Sequence, residues 1–197
     1  MAGRLLYLAR HGDTGADGEL TPAGEEQARL LGQRLADVPL AAVHHGPLPR
    51  VARTAALISR HLPGVPVHRS ELVGDYVPPV PDRRSLPEVH ARFLDGVTAD
   101  EFAEGARLAA AAVERYAVPA ATDTRELIVT HGFAVAWFVR HALDAPAERW
   151  LGLNSAHCAL TVILYRSHRP PALISLNDMS HLPPELRWTG FPPELQP

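Results

Sequence analysis

Lysine is missing altogether from this 197-residue sequence: all 19 basic side chains are arginine, against 22 acidic ones, for a formal net charge of −3. No basic excess points to nucleic acid or an anionic membrane as partner, which leaves room only for a local basic pocket. A lone cysteine, Cys158, excludes an intrachain disulfide and any zinc cluster built on cysteines. No apolar run approaches the ~18 residues of a membrane span. The N-terminus reads as a strand entering the core, not as a signal peptide with a cleavage site. What remains is ordinary for a globular chain, with 46% hydrophobic and 21% charged residues. The length suits one domain at ~100–200 residues per domain. No internal repeat or boundary divides the chain, so the expectation is a single domain over 1–197, cytoplasmic in type.

Periodicity supplies the elements. Arg4 to Ala9 is a short apolar run without alternation, as expected of a strand buried on both faces. Thr21-Pro22 offers an N-cap followed by proline at the first helical position, and Ala28, Leu31, Leu35 and Val38 recur at helical spacing over 22–37. A second strand is expected over 40–44, a helix over 49–62 stopped by Pro63-Gly64, and a third strand over 65–68. Residues 74–87, with Pro78, Pro79, Pro81 and Pro87, read as a long loop of the functional or mobile kind. Thr98 and Glu101 form a capping box ahead of a helix whose stripe is Phe102, Ala106, Ala109, Val113 and Tyr116. A strand over 125–130, helices over 133–143 and 146–151, and strands over 159–165 and 172–176 follow. The tail from Asn177 is proline-rich and reads as coil. Alternating strands and helices imply an α/β, three-layer αβα sandwich with a mainly parallel central sheet.

In such sheets ligands bind beyond the carboxyl ends of the strands, where Arg10-His11-Gly12 and Thr130-His131-Gly132 sit. Neutral imidazole can attack phosphorus, arginine grips phosphate oxygens with two prongs, and glycine lets the backbone approach closely. Those parts suit phosphoryl transfer. A strand-end histidine bonded to backbone is the plainer alternative from these residues alone.

Four segments in order alter that balance: Leu8-Ala-Arg-His-Gly-Asp-Thr14, Leu20-Thr-Pro-Ala-Gly-Glu-Glu-Gln-Ala28, Pro47-Leu-Pro-Arg-Val-Ala-Arg-Thr-Ala55 and Val129-Thr-His-Gly132. Through them, over roughly residues 4–165, the chain resembles the histidine phosphatase superfamily, in its phosphoglycerate-mutase-like branch. The segments at 58–65 and 72–82 look more like the phosphatase-type members than the glycolytic mutase. The resemblance implies a metal-independent phosphomonoesterase working through phosphohistidine, with no cofactor and a phosphorylated small molecule or phosphoprotein as substrate. It implies His11 as nucleophile, and Arg10, Arg50, Thr14 and Gly132 as phosphate ligands. His131 would be a second, protonated histidine that stabilises charge. Arg53, one turn beyond Arg50, is expected at the surface. The general acid falls to Asp75, in place of the family's usual glutamate, with Glu71 as competitor.

Other departures carry their own expectations. Gly46 stands where a serine often precedes the Pro-Leu-x-Arg segment, so His45 or a water is expected to replace its hydroxyl. Phe133, after His131-Gly132, suggests a buried helix start in preference to an apolar substrate wall. Asn154 and His157 either reach the pocket mouth or make a turn. Tyr76 and Trp188 read as hydrophobic anchors ahead of entrance residues. His44 and His45 point to opposite faces of a strand, and no metal site is expected. Two alternatives to the phosphatase stand: a mutase-like phosphotransferase, and a catalytically weak phospho-ligand-binding scaffold. Substrate and oligomeric state are open, a homodimer being one option.

Overall fold

A computed structural model describes residues 2–196. Six strands form one sheet in the order β3-β2-β4-β1-β5-β6, with β1 Gly3–Arg10, β2 Ala42–His45, β3 Val67–Arg69, β4 Thr124–Thr130, β5 Leu160–Arg166 and β6 Arg169–Asp178. The first four are parallel, and β5 and β6 close one side as an antiparallel hairpin. The expected mainly parallel α/β sandwich is what the chain forms. Alternation along β1 sends Leu6 and Leu8 to one face and Ala9 to the other.

Helices α1 (Pro22–Leu35) and α2 (Pro49–Ser59) cover the face of Ala9, and α4 (Ala99–Tyr116) and α5 (Gly132–Ala142) cover the face of Leu6 and Leu8. The Thr21 side chain caps α1 by accepting from the Gly24 N–H, and Thr98 with Glu101 closes the expected capping box on α4. On α4 the inner stripe runs through Gly105, Ala109, Ala112 and Tyr116, while Phe102, Ala106 and Val113 flank it half-buried. Glycine is required at 105 because a Cβ would run into the Val77 carbonyl of the proline-rich loop.

Three local expectations differ. Residues 147–152 form a 3-10 turn, not an α-helix. β6 begins at Arg169, three residues early, because a sheet edge tolerates Pro170 and Pro171. A six-residue helix, α3 (Glu88–Phe93), buries none of its residues and so leaves no hydrophobic pattern to read. The tail is mostly coil, as expected, but it is docked. Gln27 Nε2 donates to the Leu186 carbonyl and to Thr189 Oγ1, each at 2.8 Å, and Trp188 packs on Phe191 beside Met179 and Leu182.

Candidate active site

Parallel strands β1, β4 and β2 end at the same edge, and their register sets Arg10 opposite Thr130. The His11 N–H then donates to the Thr130 carbonyl at 2.9 Å, which fixes the two histidine-bearing strand ends side by side. The His11 and His131 rings lie 5.1 Å apart. Helices α2 and α5 start directly beyond β2 and β4, so their N-termini face the same edge, a placement that favours an anion. Arg50 occupies the first turn of α2, behind Pro49.

These ends form the floor of a cavity of about 650 Å³ lined by Arg10, His11, Thr14, Arg50, Asp75, His131 and Gly132, all seven expected site residues. Asp75 Oδ2 lies 2.8 Å from Arg50 Nη2 and 3.5 Å from His131 Nδ1. Glu71, its competitor, pairs with Arg69 on an open surface and does not line the cavity. Arg53 pairs with Glu25 at the surface, as expected. Arg10 Nη1 donates to the Ser155 carbonyl at 2.9 Å, while Arg10 Nε and His131 Nε2 are buried without a partner among the described residues. Unpartnered buried nitrogens in a cleft that holds two guanidinium groups suit an oxyanion with lone pairs to spare.

The loop that follows His11 is held from three sides. The Gly12 N–H donates to Thr54 Oγ1 at 3.1 Å, the Asp13 N–H to Gln27 Oε1 at 2.9 Å, and Thr21 Oγ1 to Asp13 Oδ2 at 2.8 Å. A Cβ on Gly12 would collide with the Gly24 carbonyl, so the loop lies directly on the first turn of α1. His11 Nδ1 is 2.8 Å from the Gly12 carbonyl. A carbonyl only accepts, so Nδ1 carries the proton and Nε2 keeps its lone pair. Burial first, and then the charges of Arg10 and Arg50, lower the His11 pKa to about 3, so the ring is neutral at physiological pH.

The same causes correct one expectation. Burial, followed by Arg50 and Arg10, lowers His131 to about 3, so in the free site it is a neutral imidazole and not a protonated one. Two further expectations change. Phe133 lines the cavity instead of closing a buried helix start, with its ring 5.1 Å from Trp150 and 5.6 Å from Phe93. His45 does not replace a serine hydroxyl: its Nδ1 meets the Gly46 carbonyl and it does not line the cavity. Gly46 is there for space, since a Cβ would stand 2.6 Å from the Val73 carbonyl. Tyr76 is buried and donates to the Leu72 carbonyl, and Trp188 anchors the tail, as expected of both. Asn154 reaches the cavity.

His157 has a larger part than a turn would give it. Its buried ring lies 5.3 Å from that of His11, with Nδ1 3.3 Å from Asp13 Oδ1 and 3.1 Å from Thr189 Oγ1. Burial, then Arg10 and His11, take its pKa down to about 2. The one sequence signal for it was its place just before β5, the strand that pairs with β1. Among the described residues, no group of three or more His, Cys, Asp or Glu is placed to hold a metal ion, and no helix is long and apolar enough to cross a membrane.

This arrangement has known counterparts. The family described as the histidine phosphatase superfamily (branch 1) matches residues 6–179. The chain belongs to that superfamily. Among curated relatives, the serine/threonine-protein phosphatase Pgam5, mitochondrial, of Caenorhabditis briggsae is 34% identical over 194 residues, covering 93% of this chain and 66% of its own length. The human PGAM5 of the same description is 32% identical over 195 residues, covering 93% and 65%. This histidine phosphatase chain thus spans just under two thirds of the length of those relatives. Their names place them in mitochondria and lend no support to a cytoplasmic location. Solved structures share the fold: Bacillus stearothermophilus YhfR at TM-score 0.70 and 21% identity, covering 90% of this chain and 98% of that one. A putative alpha-ribazole-5'-P phosphatase from Escherichia coli reaches 0.67 at 21% identity, covering 89% and 96%.

Proposed function

We propose that residues 1–197 act as one domain, a metal-independent phosphomonoesterase that works through a phosphohistidine on His11. The convergence of a neutral His11 with Arg10, Arg50, His131 and Asp75 around one cavity carries this reading. His11 Nε2 attacks phosphorus and forms the N–P bond as the P–O ester bond breaks. Asp75 delivers a proton to the departing ester oxygen. Water then attacks the phosphohistidine, giving its proton to Asp75 and returning the electron pair of the N–P bond to Nε2. Arg10 and Arg50 hold the equatorial oxygens, and an N–H on His131 Nε2 adds a third donor, so the charge that spreads over the phosphoryl group meets fixed donors. Thr14 and Gly132 border the same pocket.

A mutase must also hold a second anionic group away from water, and an anion buried without partners is costly. Arg83 and Arg84 are the candidates for that task, but neither lines the cavity, and Arg83 turns to Asp95 and the Ala91 carbonyl. The relatives' names support a phosphoprotein as substrate. The deciding experiment is acid-trapping after mixing with a ³²P-labelled monoester: an acid-labile label on His11 is expected, and its absence with turnover intact would overturn the mechanism.

A further inference from the structure

The cavity above the phosphate ligands has a wall that phosphoryl chemistry does not need. Val89 and Phe93 stand four residues apart on α3, on one side of that helix, and line the cavity while 69% and 56% exposed. Large apolar side chains left open to water at the mouth of a site mark a surface that a ligand covers. Opposite them, Phe133 rises from the first turn of α5 and Trp150 from the 147–152 turn. The Phe93 and Phe133 rings meet edge to face at 84°, and Phe133 and Trp150 are inclined at 57°. Leu195 of the tail adds to the same wall. Once Arg10 and Arg50 hold phosphate, the lining side chains left that can carry charge are Asp75 and the imidazoles, with no guanidinium to spare for a second anion.

We propose that this wall selects phosphomonoesters whose alcohol carries an aromatic ring at, or one carbon from, the ester oxygen. This rests on the phosphomonoesterase reading and names its substrate class. Edge-to-face contact with Phe93 and Phe133 favours a ring over an aliphatic chain of equal area.

The test compares kcat/KM for benzyl phosphate and ethyl phosphate, both esters of alkyl alcohols, so that the ring is read without a change of leaving-group type. A preference of roughly 10–100-fold for the benzyl ester is expected from burying one ring. Phe93→Ala and Val89→Ala, both at exposed positions, should cut that preference several-fold while leaving ethyl phosphate turnover within about twofold. 3-Phosphoglycerate should fall at least ~10-fold below benzyl phosphate, because its carboxylate meets the apolar wall. A wild-type ratio near one, or a ratio untouched in both variants, would overturn the inference. Turnover of the esters without discrimination sinks this inference alone; turnover of none, 4-nitrophenyl phosphate included, sinks the phosphatase reading with it.

Discussion

The floor and the wall of the cavity are built by different means. Arg10, His11 and His131 stand at the ends of neighbouring strands whose register is locked by backbone hydrogen bonds, and Arg50 on a helix that starts where β2 ends. The wall comes from α3 and the tail, where Val89, Phe93 and Leu195 stand exposed, and from the half-buried Phe133 of α5 and the buried Trp150 of the 147–152 turn. A floor of fixed cations can stabilise a transition state because its groups need no rearrangement when charge develops. A wall on connecting segments can change its chemistry without disturbing the sheet.

The comparison breaks most completely at the floor. His11→Ala removes the covalent route, and kcat/KM should fall by roughly 10⁴-fold or more while the melting temperature stays near that of the wild type. Residual turnover within tenfold of wild type would move the nucleophile elsewhere. Next comes the acid. Asp75→Asn should slow alkyl phosphates by ~10²–10⁴-fold and largely spare 4-nitrophenyl phosphate, whose leaving group needs no proton. Glu71→Gln, on the open surface beside Arg69, should change neither, and steady-state kinetics on both esters would expose a reversed pattern.

Smaller effects test what supports the floor. Gly46→Ser places a Cβ against the Val73 carbonyl and should destabilise the fold by ~1–3 kcal/mol, read by urea melts, without adding a phosphate ligand. Acid should weaken the fold gradually. His11 and His131 are held to about 3, His157 to about 2 and His181 to about 4, each chiefly by burial. The unfolded chain takes up protons below about 6.5 that the folded one refuses until those lower values. Stability is therefore complete above about pH 6.5 and is lost as pH falls toward 3, and thermal melts from pH 8 to 4 should show a flat stretch followed by a decline. The smallest effect is none: exhaustive chelation should leave turnover unchanged, since Arg10 and Arg50 supply the cationic work, and recovery on adding metal back would contradict that.

Much of the floor could be read in advance. A buried strand followed by Arg-His-Gly, and a second followed by His-Gly, place their polar residues at one sheet edge because parallel strands end together. The wall was less legible. Phe133 looks the same in sequence whether it faces core or cavity, and α3, six residues long and burying nothing, offers only the single spacing of Val89 and Phe93. His157 lies 146 residues from His11 along the chain, and Thr189, which bonds to His157, lies further on still; no local spacing announces that His157 meets His11.

Read alone, the sequence carried the order of the main strands and helices, the mainly parallel sheet and the polar residues that end β1 and β4. Those follow from local periodicity, caps and short motifs, which act over a few residues. Only the tertiary structure decided that Asp75 and not Glu71 reaches Arg50 and His131, that burial leaves His131 neutral, and that the tail docks on Gln27 and Arg10. Each of these depends on distance and desolvation between groups far apart in the chain, quantities that exist only once the sheet has brought them together.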